Sequence, residues 1–327
     1  MSRNNSNDGD RNKFAPNPDL MRKVRNKRAV ANFGKNSVAP ARPLPKNNQQ
    51  ANPNITPNPY EYQTHTLNRA EHPQLRTNDR QPLANSAKPA IPMPTSTLKD
   101  SRGVEYCTVP KGNYFIGLEN DVETIRAPYA MGRFPVTKDE YMQFVIEEKI
   151  SYSAEEIAIM NKIAPYSNSP AVMVSWDDAK SYCRWLRKKT GDYYALPSIM
   201  EWEAAGRGQD GRIYPWGQVK LSHSICCYDD EGARPTTTCT VDYFMNNVSP
   251  FGCIGMVGNV MEWTLDSFHD ERDPHILKGG SWMSTVDFCN SVTPIISYPP
   301  EKRMEFVGFR LLYLPKEMYR EYKLAHT

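Results

Sequence analysis

Three short runs near the C-terminus decide how this chain is read: Gly258-Asn259-Val260-Met261-Glu262-Trp263, Gly279-Gly280-Ser281-Trp282 and Gly308-Phe309-Arg310. Each sets glycine close to an aromatic ring, in a region with little regular hydrophobic period. Glycine adopts backbone shapes closed to other residues, and indole rings fill irregular gaps between loops. The pattern therefore predicts a compact domain of turns and short strands. Arg310 is expected to make an internal charge pair with an acid such as Glu262 or Glu201. Trp176, Trp202, Trp263 and Trp282 are expected to be core side chains that staple loops to a small sheet.

Outward from these runs, composition divides the chain near residue 100. All seven cysteines and all six tryptophans lie beyond that point. Residues 1–100 hold 16 Asn and 13 Pro, with 16 basic against 7 acidic residues, a net charge of +9. Such a segment buries too little apolar surface to offset its ordering entropy. It is expected to be a disordered or partner-ordered basic arm, with residues 101–327 as the folded domain. Residues 19–31 have the pattern of one short basic helix capped by Asp19, suited to an acidic protein surface or nucleic acid, or else a solvated linker. Pro40–Pro45 and Pro89–Pro94 favour extended polyproline spacers.

No apolar run resembles a signal sequence, and none reaches the length of about 18 residues that a membrane helix needs. A cytoplasmic or virion-associated protein is expected. An odd number of cysteines in a domain of this size points to buried thiols in a reducing compartment rather than a disulfide framework.

In the folded part, Val104–Val109 alternates as a strand does, and Tyr114–Gly117 is expected to pair back on it across the Pro110-Lys111-Gly112 turn. Thr137 with Glu140 forms a capping box for a helix whose apolar face is Tyr141, Phe144 and Val145. A second helix is predicted from Ser175 through Leu186 to the basic end Arg187-Lys188-Lys189, closed by Gly191. Ser198 caps a third, from Ile199 to Ala205.

In this order the motifs carry a resemblance. Pro170–Ala179 with Tyr182-Cys183, then Leu196-Pro197-Ser198-Ile199-Met200-Glu201-Trp202-Glu203, Tyr214-Pro215-Trp216-Gly217 and the three C-terminal runs resemble the formylglycine-generating enzyme family. That is the sulfatase-modifying factor domain, an α+β variant of the C-type lectin-like fold with few helices, short strands and much irregular loop. The likeness spans roughly residues 104–314.

The resemblance brings several functional expectations. One subgroup of the family oxidises a substrate cysteine with copper(I) held by two cysteines five residues apart. Those positions fall here on Ser284 and Cys289, and a hydroxyl is a poor ligand for so soft an ion. Copper chemistry is therefore not expected, and no catalytic residue is assigned. The competing reading is a diverged copper- or metal-dependent cysteine oxidase that uses Cys289 with another partner. A second, iron-dependent subgroup keeps its histidines on a preceding helical domain; only His65 and His72 precede this one, which leaves that chemistry without a home. His223 and Cys226 have zinc-like spacing but lack a second clip, so buried thiols are the better account. Where the family binds calcium, the carbonyls of Gly258 and Val260 and the carboxylate of Glu262 match its ligands. A metal-free turn around Glu262 is the alternative.

The remaining class is recognition. In related variable proteins of diversity-generating retroelements, the segment between Gly-Gly-Ser and Gly-Phe-Arg faces the ligand. Here that segment contains Trp282, Phe288, Tyr298, Lys302 and Arg303, expected to bind a protein or carbohydrate while the arm tethers the head to an assembly such as a phage virion. The alternative is that the segment only closes the fold.

Overall fold

The computed structural model describes residues 96–230, 235–292 and 296–326. The expectations for the basic arm, including the helix at 19–31, lie outside the described residues.

The first strand, β1 (Thr97–Lys99), is antiparallel to β2 (Glu105–Val109), so the folded domain begins ahead of the expected boundary at 101. Asp100 anchors this entry. It is buried, and its carboxylate accepts from the Arg102 guanidinium at 2.7 Å and from the hydroxyls of Tyr106 and Tyr194. The strand expected at Tyr114–Gly117 exists as β3 (Gly112–Ile116), but its partner differs. It pairs with β4 (Asp121–Ile125), while β2 pairs with β5 (Tyr129–Gly132). The turn that closes the real hairpin uses Gly117 and Asn120, both left-handed, and the Asn120 amide donates to the Gly117 carbonyl. A buried cation then fixes it: Arg207 donates to the carbonyls of Phe115 and Gly117 and to the Asn120 side chain.

Five helices lie among the described residues. α1 (Lys138–Glu147) starts at the expected Thr137–Glu140 capping box and buries Tyr141, Phe144 and Val145. α2 (Ala154–Ile163) has an equivalent box, Ser153 with Glu156, that was not anticipated. α3 (Trp176–Thr190) begins at Ser175 and ends at Gly191, which is left-handed as a helix-closing glycine should be. After β6 (Tyr193–Ala195), α4 (Ile199–Arg207) is capped by Ser198, whose amide and hydroxyl both donate to Glu201. The last element, α5 (Lys316–Ala325), packs on the strand Leu312–Leu314 and follows no signal read in the sequence.

The remaining strands are β7 (Met261–Ser267), β8 (His275–Lys278), β9 (Ile296–Tyr298), β10 (Val307–Phe309) and β11 (Leu312–Leu314). One sheet has the order β1-β2-β5-β11-β6 with every pair antiparallel. A second has the order β10-β7-β8-β9, in which β10 runs parallel to β7. Both tryptophans of the helical motifs serve as staples: Trp176 Nε1 donates to the Thr264 carbonyl, and Trp202 lies fully buried against β7. This is the α+β arrangement expected. No helix of the described residues is long and apolar enough to cross a membrane.

Two titrating groups sit side by side where β7 meets β8. Asp266 is buried at the start of α4 and accepts from the Ile199 amide; burial pushes its carboxyl up to about 7. His275 stacks on Trp176 at 3.6 Å, and burial pulls its ring down to about 4. Asp266 contributes stability below its unfolded value near 4, lost as pH rises through about 7. His275 contributes stability above its unfolded value near 6.5, lost as pH falls through about 4. The two slopes oppose each other between pH 4 and 7. Relative to the parent, Asp266→Asn should therefore gain stability as pH rises across this window and His275→Gln should lose it. Each slope is at most about 1.4 kcal/mol per pH unit, read from urea midpoints.

Candidate functional site

Arg310 and Glu262 are fully buried, with no exposed side-chain surface on either. Arg310 Nη2 donates to Glu262 Oε1 at 2.8 Å, and its Nε reaches both carboxylate oxygens. The other guanidinium hydrogens go to the carbonyls of Gly132, Arg133 and Ile254, so all five N–H groups have partners. Glu262 Oε2 also accepts from Trp202 Nε1 at 2.6 Å. Burial alone would lower the Arg310 pKa, but the Glu262 charge outweighs it and holds the guanidinium protonated. The charge pair anticipated from the sequence is thus formed, with Glu262 rather than Glu201 as the partner.

That pair corrects the calcium expectation for Gly258, Val260 and Glu262. The Glu262 carboxylate is enclosed and neutralised, and a cation beside it would face a guanidinium. The residues present do not fit a calcium ion there, since hard cations need open, anionic oxygen donors.

The chain between Gly279 and Cys289 forms the second part of the site. Ser284 Oγ accepts from the Ser281 amide at 3.0 Å and lies 3.1 Å from Ser281 Oγ, while the Ser284 amide donates to the Ser281 carbonyl. The Ser284 hydroxyl is therefore consumed in closing a turn. Cys289 follows a 3-10 turn (Val286–Phe288) and is completely buried. Its thiol faces the carbonyls of Ser281 and Ser284, and it packs in one buried cluster with Cys226. Two motif glycines leave room for these sulfurs. A methyl group on Gly258 would overlap Cys226 Sγ, and one on Gly280 would stand 2.8 Å from Cys289 Sγ. Burial, with the Cys289 hydrogen bond second, raises the Cys226 pKa and holds the thiol protonated.

Copper(I) asks for two thiolates. Ser284 does not fit, but Cys226 offers Cys289 a second sulfur from a distant part of the chain. Sequence spacing had no means of revealing that pair, because the two residues are joined only by the fold. His223 does not join Cys226 in a zinc clip. It stacks on Tyr228 at 4.5 Å and lies 3.5 Å from Asp230, and no cluster of three or more metal-binding side chains occurs among the described residues.

The five residues expected to bind ligand do not form one face. Trp282 is buried and donates to the Glu305 carbonyl. Tyr298 is half-buried on β9 and packs against the main core near Phe306. Arg303 forms a two-point pair with Asp178, at 2.8 and 3.1 Å, and lies over the Tyr152 ring. Opposite charge and an aromatic face thus draw Arg303 inward. Lys302 is exposed, as is Phe288 at 38 %.

An aromatic surface that the sequence reading missed borders the thiol pair instead. Tyr214 and Trp216 stack in parallel at 4.9 Å, and Trp216 and Leu221 pack against the cluster of Cys226, Tyr228, Val257 and Cys289. His223 covers the Tyr228 ring on the same segment. The available signal is the Tyr214-Pro215-Trp216-Gly217 motif.

Residues 94–313 match the sulfatase-modifying factor enzyme 1-like domain, and the chain belongs to that family. It is 28% identical over 238 residues to a bovine (Bos taurus) protein named inactive C-alpha-formylglycine-generating enzyme 2, covering 56% of this chain and 76% of the relative. It is 33% identical over 148 residues to the mouse (Mus musculus) formylglycine-generating enzyme, covering 38% of each. PvdO from Pseudomonas aeruginosa shares the fold, with a TM-score of 0.56 and 23% identity over 68% of this chain and 98% of that one.

Removing one side of the buried pair leaves the other charge without compensation. Arg310→Met should cost about 3–5 kcal/mol in urea unfolding. Arg310→Met combined with Glu262→Leu should recover part of that loss. Melting of Arg310→Met at the parent's midpoint would show that the pair does not hold the fold.

Proposed function

We propose that this member of the sulfatase-modifying factor family is a non-catalytic recognition domain that binds a protein or carbohydrate ligand. One observation carries the reading. At the position where the oxidising subgroup keeps its first cysteine, Ser284 spends its hydroxyl on the Ser281 turn, and Cys289 is sealed from solvent. A thiol sealed from solvent is a poor nucleophile, because neither a substrate nor a metal ion reaches its sulfur.

The Tyr214–Trp216 stack, with His223 and Phe288, is the contact surface in this proposal. Flat, half-buried rings suit the apolar faces of sugars and the side chains of peptides, and they lose little conformational entropy on contact. The exposed Ile213 and Val219 extend the apolar character of the same segment. The basic arm, net +9 over residues 1–100, is the tether, docking on an acidic protein surface or on nucleic acid within a larger assembly such as a virion.

A second reading has its own support in the clustering of Cys226 with Cys289. Those two residues would hold copper(I) in a diverged cysteine oxidase, with the metal supplying the oxidative chemistry. Cys226 and Cys289 would bind and orient it only after losing their protons.

Two measurements separate these readings. Screening the full chain against a glycan array and a displayed peptide library should yield a binder. Trp216→Ala should then weaken it by about 30-fold, the loss of a typical aromatic anchor, with a far-UV spectrum like the parent's showing that the domain is still folded. A binder indifferent to Trp216→Ala would remove this surface from the proposal. Anaerobic copper(I) titration should give no tight stoichiometric binding. One tight equivalent, lost in both Cys226→Ala and Cys289→Ala, would favour the oxidase.

A further inference from the structure

Six of the seven cysteines fall into three thiol–thiol contacts: Cys107 with Cys253, Cys226 with Cys289, and Cys227 with Cys239. The vicinal Cys226 and Cys227 point apart, so each serves a different pair. All four cysteines of the first two pairs have no exposed surface, so none can meet a reagent without local opening. The third pair differs. Cys227 is buried, but Cys239 is only half-buried and is the one cysteine of the seven that reaches toward solvent.

The backbone around this pair is fixed independently of the sulfurs. Asn259 has a left-handed φ of 65°, and its side chain accepts from the Cys239 amide at 2.9 Å and donates to the Cys239 carbonyl at 3.0 Å. Its own amide donates to the Cys227 carbonyl at 2.8 Å. One residue therefore clamps both cysteine backbones, twelve positions apart in the chain, so that their side chains meet. On the far side, Thr238 donates its hydroxyl and amide to the Ile163 carbonyl, tying the Cys239 segment to α2.

We propose that Cys227 and Cys239 form a redox-responsive dithiol that small-molecule disulfides convert to an intramolecular disulfide, leaving the other cysteines reduced. Cys239 acts first because it alone is accessible. Its thiol, accepting the Cys227 hydrogen bond, is held below the ordinary cysteine value, which raises its thiolate fraction. The Cys239 thiolate attacks one sulfur of a disulfide RSSR, forming Cys239–S–S–R and releasing RS⁻. Cys227 then loses its proton and attacks the Cys239 sulfur, forming the Cys227–Cys239 bond and releasing the second RS⁻. Two protein thiols are oxidised, one external disulfide is reduced to two thiols, and the two protons leave on those thiols. The product covalently joins the two segments that Asn259 now holds by hydrogen bonds.

The test uses the folded full chain in glutathione buffers of rising disulfide content, quenched with acid and mapped by mass spectrometry. Wild type should lose about 2 Da and yield a Cys227–Cys239 linked peptide, reversed by dithiothreitol. Cys227→Ala should instead keep one glutathione on Cys239, because the resolving thiol is gone. Cys239→Ala should form neither product; should that variant fail to fold, the wild-type and Cys227→Ala maps decide alone. Wild type that stays reduced, links Cys226 to Cys289, or links Cys227 to Cys239 only when urea is present would overturn the proposal.

Discussion

A guanidinium with all five of its N–H groups satisfied inside the protein is the joint on which this fold depends. Arg310 sits between β10 of one sheet and β11 of the other, and its partners belong to both. Glu262 lies on β7, Gly132 ends β5, and Ile254 comes from the loop that leads into the glycine-rich run. Trp202 of α4 closes the far side of the carboxylate. Burying two charges costs several kcal/mol each before their attraction is counted. The arrangement holds because every donor is used and the carboxylate carries a third partner. The reward is geometric: the two sheets and α4 are locked in one relation.

The same constraint governs what the site can do. A carboxylate committed to Arg310 and Trp202 has nothing left for a cation, which is why the ligand types matched by motif position do not fit a calcium ion. Around it, motif glycines that look conformational are also spatial. Gly258 and Gly280 have left-handed backbones, and each also makes room for a sulfur. The region therefore holds a thiol pair, Cys226 with Cys289, where spacing alone showed only a serine and a single cysteine. Cysteines that looked like scattered core residues are mostly partners of one another.

Much of the local architecture was legible in the sequence. The Thr137–Glu140 box and the Ser198 cap were readable because a helix start is a local interaction, complete within four residues. The Ser153–Glu156 box is equally local, so the start of α2 is encoded in the sequence as well. The β3 partner was of another kind. Pro110-Lys111-Gly112 offers a turn, but the hairpin forms one strand later because Arg207, about ninety residues along the chain, clasps the Gly117–Asn120 turn.

From its sequence alone, this chain declared its family, its α+β class, its main helix starts and the serine at position 284. These are statements about residue type at ordered positions and about contacts within one helical turn. Only the tertiary structure decided that Arg303 and Trp282 turn inward, that Glu262 belongs to Arg310, and that Cys289 meets Cys226 while Cys227 meets Cys239. Side-chain direction and long-range pairing depend on which surfaces the packed core leaves open, and that is a property of the folded whole rather than of any local run of residues.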